Sequence, residues 1–176
     1  MKTMILTVLF GALTQIIAAQ DLASPQKDGT EALFKEGQLA YGNGGYAKAI
    51  ALFTEVLQRN PDELNAYLQR GFCHSLLREY DLAISDFTAL ISRKNDHLWA
   101  YTSRGSAYEK LGRHDLALSD FDKVIELDPR NQEAYNNRGW TRKAMGDAEG
   151  GCEDWKTSRK LGNAEAKIIL KNNRCK

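Results

Sequence analysis

The side chains able to do chemistry are few. His74, His97 and His114 are the only histidines, and Cys73, Cys152 and Cys175 the only cysteines. A zinc site needs such groups at short ligand spacings, and a nucleophilic triad needs a histidine set beside a nucleophile motif. Neither pattern occurs. Gly42, Gly44 and Gly45 cluster, but no strand pattern precedes them and no Gly-Lys-Ser/Thr follows, so they read as a turn and not as a phosphate loop. The expectation is a protein that is not an enzyme, with no metal, no cofactor and no small-molecule substrate.

Charge narrows the partners. Lysine plus arginine number 24 and aspartate plus glutamate 23, with no long run of either sign. Nucleic-acid binding draws its affinity from a basic patch, so no nucleic-acid role is predicted.

The N-terminus differs from the rest of the chain. Lys2 precedes an apolar stretch from Met4 to Ala19 that closes on Ala18 and Ala19, and polar residues follow from Gln20. A basic start, an apolar middle and a small-residue exit make a secretory signal. Cleavage is expected near Ala19–Gln20, although Ile17 stands where a small residue is preferred. Residues 1–19 are thus read as a signal peptide and 20–29 as a flexible linker. The predicted address is exported, periplasmic or secreted, with membrane contact only if the signal stays uncleaved. The stretch is shorter than the ~20 residues of a spanning helix.

The most informative feature is internal repetition. Gly37, Gly71, Gly105 and Gly139 recur at a constant spacing. Ala32, Ala66, Ala100 and Ala134 stand before them, each followed by Leu33, Tyr67, Tyr101 or Tyr135. Small residues (Ala49, Ala83, Ala117, Gly151) and then aromatics (Phe53, Phe87, Phe121, Trp155) stand after them, at fixed intervals. Within each unit, apolar residues recur at helical spacing in two stretches separated by turn signals. Each unit is therefore a helix–turn–helix hairpin. One hairpin cannot bury its own apolar side, so the hairpins must stack.

These columns resemble the tetratricopeptide repeat. The resemblance covers units 30–63, 64–97, 98–131 and 132–165, with residues 164–175 forming a capping helix, so that 30–176 is one domain. It is closest in units two and three and weakest in unit four, where Ala148, Gly150 and Gly151 thin the second helix. The resemblance implies an all-α fold, a right-handed superhelix of stacked helical hairpins (an α-solenoid), whose concave groove is lined by first helices and binds partners.

On that groove, helical spacing places Phe34, Gln38 and Tyr41, then Leu68, Gln69 and Phe72, then Trp99, Thr102, Ser103 and Ser106, and last Glu133, Asn136, Asn137, Trp140 and Lys143. Aromatic anchors beside amides and hydroxyls suit an extended peptide. Some of these rings would instead pack on the next helix, Phe72 first among them. The lysine, asparagine and arginine set with which the family's best-known groove clamps an acidic tail is missing: Phe34, Gln38, Gln69, Trp99 and Ser103 stand in its places.

Arg70, Arg104 and Arg138 precede the repeated glycine, and Asp86, Asp120 and Asp154 precede the repeated aromatic. Unit one has Glu36 and Leu52 there instead. Because the two charges appear and vanish together, they are expected to pair, within a hairpin or between neighbours, as a structural ladder. Cys73 reads as a buried thiol. Cys152 and Cys175 would sit at similar heights on antiparallel helices about Gly162. A disulfide there would staple the cap, the alternatives being two free thiols or an intermolecular bond. The predicted function is an exported protein–protein interaction scaffold that binds a peptide or protein segment in its groove. The alternative is a structural subunit of an envelope or secreted complex, docked by its convex face or cap.

Overall fold

The computed structural model describes residues 25–175, and the predicted signal peptide lies outside them. Eight helices pair into four hairpins: α1 (Pro25–Gly42) with α2 (Tyr46–Arg59), α3 (Leu64–Leu76) with α4 (Tyr80–Arg93), α5 (Leu98–Lys110) with α6 (His114–Leu127), and α7 (Gln132–Ala144) with α8 (Ala148–Lys160). A short α9 (Ala166–Asn172) packs on α8. Each second helix also packs on the first helix of the next hairpin, and each first helix touches the next first helix. The described residues contain no strand and no helix long and apolar enough to cross a membrane.

The repeated glycine is a close-approach position. A Cβ added to Gly37, Gly71, Gly105 or Gly139 would lie 2.6–2.8 Å from the ring of Phe53, Phe87, Phe121 or Trp155. Those rings are fully buried, as are the small residues Ala49, Ala83 and Ala117. Burying an aromatic ring contributes about 1.5–3 kcal/mol relative to leaving it exposed, so this column is a main source of each hairpin's stability.

Turn chemistry follows the columns too. Within the hairpin turns, Gly44, Gly112 and Gly146 adopt φ of 75°, 69° and 92°, and Arg78 takes the same place at 63°. Between hairpins the chain turns sharply, and a side chain caps the next helix. Glu63 accepts from the Asn65 N–H, His97 from the Ala100 N–H and Asn131 from the Ala134 N–H. Each cap satisfies one of the backbone donors that a helix start leaves open.

Two boundaries differ from expectation. The stretch read as linker through residue 29 is helical from Pro25. Proline at a first helical position has no N–H to leave unsatisfied, and its φ suits the helix. The capping helix spans only Ala166–Asn172. It ends before Cys175 because Arg174 turns into the left-handed region at φ 54°.

Candidate functional site

The first helices α3, α5 and α7 lie side by side, so one face of each can contribute to a shared surface. A hollow of about 300 Å³ opens on it between α3 and α5. Phe72, Ser75 and Leu76 form one wall, and Trp99, Thr102, Ser103, Ser106, Ala107 and Lys110 the other. Tyr80 and Glu133 complete it.

Side-chain placement separates working candidates from packing. Trp99 is 62 % exposed and Trp140 41 %, so both indoles keep contact area for a partner. Trp140 also rests edge-on against Trp155 at 4.8 Å, so it has a packing role that Trp99 lacks. Phe72 lies 5.7 Å from Phe87 and Phe34 5.5 Å from Phe53; both are half-buried props for the core rings. Tyr41 is half-buried against Tyr46. Thr102 is buried, because it faces the floor where α3 and α5 meet, and offers wall more than a free hydroxyl. Of the groove residues expected from sequence, the hollow gathers Phe72, Trp99, Thr102, Ser103, Ser106 and Glu133. Phe34, Gln38, Tyr41, Leu68, Gln69, Asn136, Asn137, Trp140 and Lys143 lie outside its lining. Lys143 stands over the Trp140 ring and donates to Asn173 Oδ1.

Among the described residues, the side chains of Gln38, Gln69, Ser75, Ser103, Ser106 and Asn137 make no hydrogen bond within the protein. Asn136 Oδ1 is buried and likewise unpartnered. The same face therefore carries an apolar hollow and a row of hydrogen-bonding groups left free.

Away from the groove, the charged ladder is a continuous brace. Arg70 donates to both oxygens of Asp86 at 2.6 and 2.9 Å, Arg104 to Asp120 at 2.7 and 2.9 Å, and Arg138 to Asp154 at 2.6 and 2.9 Å. The remaining guanidinium nitrogen reaches the preceding hairpin, meeting Thr54 at 3.0 Å, Thr88 at 3.0 Å and Asp122 at 2.6 Å. Each arginine thus ties its own hairpin together and holds it to its neighbour. Asp120 and its hydrogen bonds hold the Arg104 guanidinium above its ordinary value, while burial pushes the Asp120 carboxyl up against the lowering by Arg104. Unit one departs: Glu36 pairs with Lys48 at 2.7 Å, and Leu52 fills the aspartate column as packing.

Family models for the tetratricopeptide repeat match residues 34–97, 98–131 and 121–153. The chain belongs to the tetratricopeptide repeat family. Solved structures share the fold. One described as the crystal structure of MamA superposes with a TM-score of 0.74 at 23 % identity, over 80 % of this chain and 82 % of that one. MamA 41-end from Desulfovibrio magneticus RS-1 gives 0.74 at 21 % identity, over 80 % and 79 %. The Arabidopsis OM64 TPR domain gives 0.64 at 27 % identity, over 67 % of this chain and 98 % of that one. No curated protein sequence matches the chain.

In this repeat protein the cysteines divide by place. Cys152 and Cys175 form a disulfide, with Cα atoms 5.5 Å apart, which fastens the segment after α9 to α8. Cys73 is fully buried, and burial pushes its thiol up to about 11, so it stays protonated and inert. His74 meets Glu79 at 2.6 Å, and His114 lies 3.4 Å from Glu109, which also accepts from Thr141 of the next hairpin at 2.7 Å. Among the described residues no group of three His, Cys, Asp or Glu is placed to hold a metal ion.

The sequence reading missed the Thr54, Thr88 and Asp122 column that receives the third arginine nitrogen. Its signal was present: each residue directly follows the repeated aromatic. It also missed Ser75, Leu76, Tyr80 and Lys110 of the hollow. Those lie at helix ends, where spacing alone does not fix direction.

Proposed function

We propose that this chain, a tetratricopeptide repeat scaffold for protein–protein interaction, is exported and binds an extended segment of another protein along the face formed by α3, α5 and α7. The observation that carries the reading is the juxtaposition at the hollow: Trp99 stands largely exposed beside Phe72 and Leu76, with the Ser75, Ser103 and Ser106 hydroxyls free of protein partners. An apolar side chain of the partner enters the hollow against Trp99, and the free hydroxyls and amides pair with its backbone. An extended strand needs such partners because its N–H and C=O groups are unsatisfied within itself. A clamp for acidic tails is not supported, since Lys110 and Glu133 at the hollow carry opposite signs.

Export rests on the pattern of residues 1–19, and the Cys152–Cys175 disulfide agrees with an oxidising compartment. The test is capture of a partner from an extract of the source cells, with Trp99→Ala/Trp140→Ala run beside the wild type at matched melting temperature. Retention by the wild type and loss by the variant supports groove binding. Equal retention refutes it and assigns docking to another face.

A further inference from the structure

The hollow between α3 and α5 runs nearly the length of α5, and its two rims differ in charge. Trp99 stands at the start of α5 and Glu133 holds the same place on α7, so both mark the rim where the first helices begin. Leu76 ends α3 and Lys110 ends α5, so both mark the rim where those helices stop. Of the residues that line the hollow, only Lys110 and Glu133 carry a charge. Both are exposed, and neither side chain has an ion pair or a hydrogen bond within the protein.

The fold does not require these charges. The place of Lys110 is held by Gly42, Leu76 and Ala144 in the other hairpins. The place of Glu133 is held by Asn65 and Trp99 in the middle hairpins and by Glu31 in the first. Glu31 is answered by Lys35, 2.7 Å away and one turn further on. In the last hairpin that answering place is Asn137, which leaves Glu133 without a cation. A lysine near a helix end and a glutamate near a helix start suit the helix dipole, yet the Lys110 column does without a charge in every other hairpin.

We propose that the hollow selects a segment in which an acidic and a basic residue flank one apolar residue at alternate positions, the acid meeting Lys110 and the base meeting Glu133. This specificity rests on the groove binding proposed above. In an extended segment, residues two apart share a face, so the acid, the apolar side chain and the base all point into the hollow. At ~3.3 Å per residue they span about 13 Å. Lys110 stands roughly three turns after Trp99, about 16 Å along the axis, and the flexible lysine and glutamate side chains close the difference. The apolar side chain then falls between the rims, where Phe72 lines the wall. A wholly acidic segment would meet Glu133 and a wholly basic one Lys110, so repulsion at one rim disfavours both.

The test is selection from a random heptapeptide display library on the wild type, Lys110→Gln and Glu133→Gln. The best wild-type peptide is then synthesised and its affinity measured by fluorescence anisotropy. The wild type is expected to enrich an acid two residues to one side of an apolar residue and a base two residues to the other. Lys110→Gln should lose the acid and keep the base, and Glu133→Gln the reverse; both positions are exposed, so the fold is kept. In the synthesised peptide, changing the acid to its amide should weaken binding to the wild type about two- to fivefold, the range of an exposed ion pair, and leave binding to Lys110→Gln unchanged. High salt should shrink that difference. Peptides that need Trp99 but carry no flanking charges overturn the specificity and leave the groove reading standing, as does an acid preference that survives in Lys110→Gln. A selection that yields no peptide weakened by Trp99→Ala overturns both.

Discussion

Replacing Arg104 by alanine tests the ladder most severely. The guanidinium spans three partners: both oxygens of Asp120 at 2.7 and 2.9 Å and the Thr88 hydroxyl of the preceding hairpin at 3.0 Å. Asp120 is 3 % exposed, so water cannot replace what the arginine gave. Breaking a buried ion pair from one side costs about 3–5 kcal/mol, because an uncompensated charge is left in the interior. For a chain of this size that lowers the melting temperature by roughly 6–20 °C. Unit one supplies the control, since it folds with Leu52 in the aspartate column and no arginine. Arg104→Met/Asp120→Leu removes both charges while keeping their volume, and should recover most of the loss. Urea unfolding followed by circular dichroism reads both variants. If the double variant is as unstable as Arg104→Ala, the cost lies in lost packing, and the stranded-charge argument is wrong.

Three further outcomes follow from particular geometries. Arg78 adopts φ 63° where Gly44 and Gly112 stand in the neighbouring hairpins, so Arg78→Gly should stabilise the chain by about 1 kcal/mol, read as a raised urea midpoint. His97 caps α5 by accepting the Ala100 N–H at Nδ1, and burial lowers its pKa below the ordinary 6.5. The unfolded chain therefore takes up the proton first, and the stability held above pH 6.5 is lost as pH falls below it. His97→Asn copies the cap that Asn131 makes and does not titrate, so its melting temperature should fall less than the wild type's between neutral and acid pH; equal falls refute the assignment. Reduction of Cys152–Cys175, which closes a loop 23 residues in separation, should cost about 3 kcal/mol and speed hydrogen exchange in α9 before α3–α6.

How far the sequence could be read depended on how often a feature repeats. The glycine and aromatic columns recur four times, and their meaning is one contact, a ring pressed against a backbone that has no room for a Cβ. The Arg–Asp ladder was visible because its members vanish together in unit one. Its second function, joining hairpins through Thr54, Thr88 and Asp122, was harder to see, because that column mixes hydroxyl and carboxylate. Features that occur once gave less. The start of α1 at Pro25 and the short α9 depend on local backbone choices at the chain's ends, where no column constrains them. The face that carries the hollow was legible from helical spacing, and the hollow itself was not. Spacing placed Trp99 and Ser106 on that face, but only packing decides that Thr102 is buried while Trp99 stands free.

The central claim is that the face bearing Trp99 is the binding surface. The most direct measurement is the affinity of peptides selected from a random display library on the wild-type chain, compared across two variants. Trp99→Ala removes an exposed anchor, and Leu116→Ala removes an exposed leucine from the third hairpin's second helix. The account predicts that Trp99→Ala weakens the selected peptides by about tenfold or more, as loss of a buried interfacial tryptophan does, while Leu116→Ala leaves them unchanged. Peptides that bind Trp99→Ala as tightly as the wild type would contradict it.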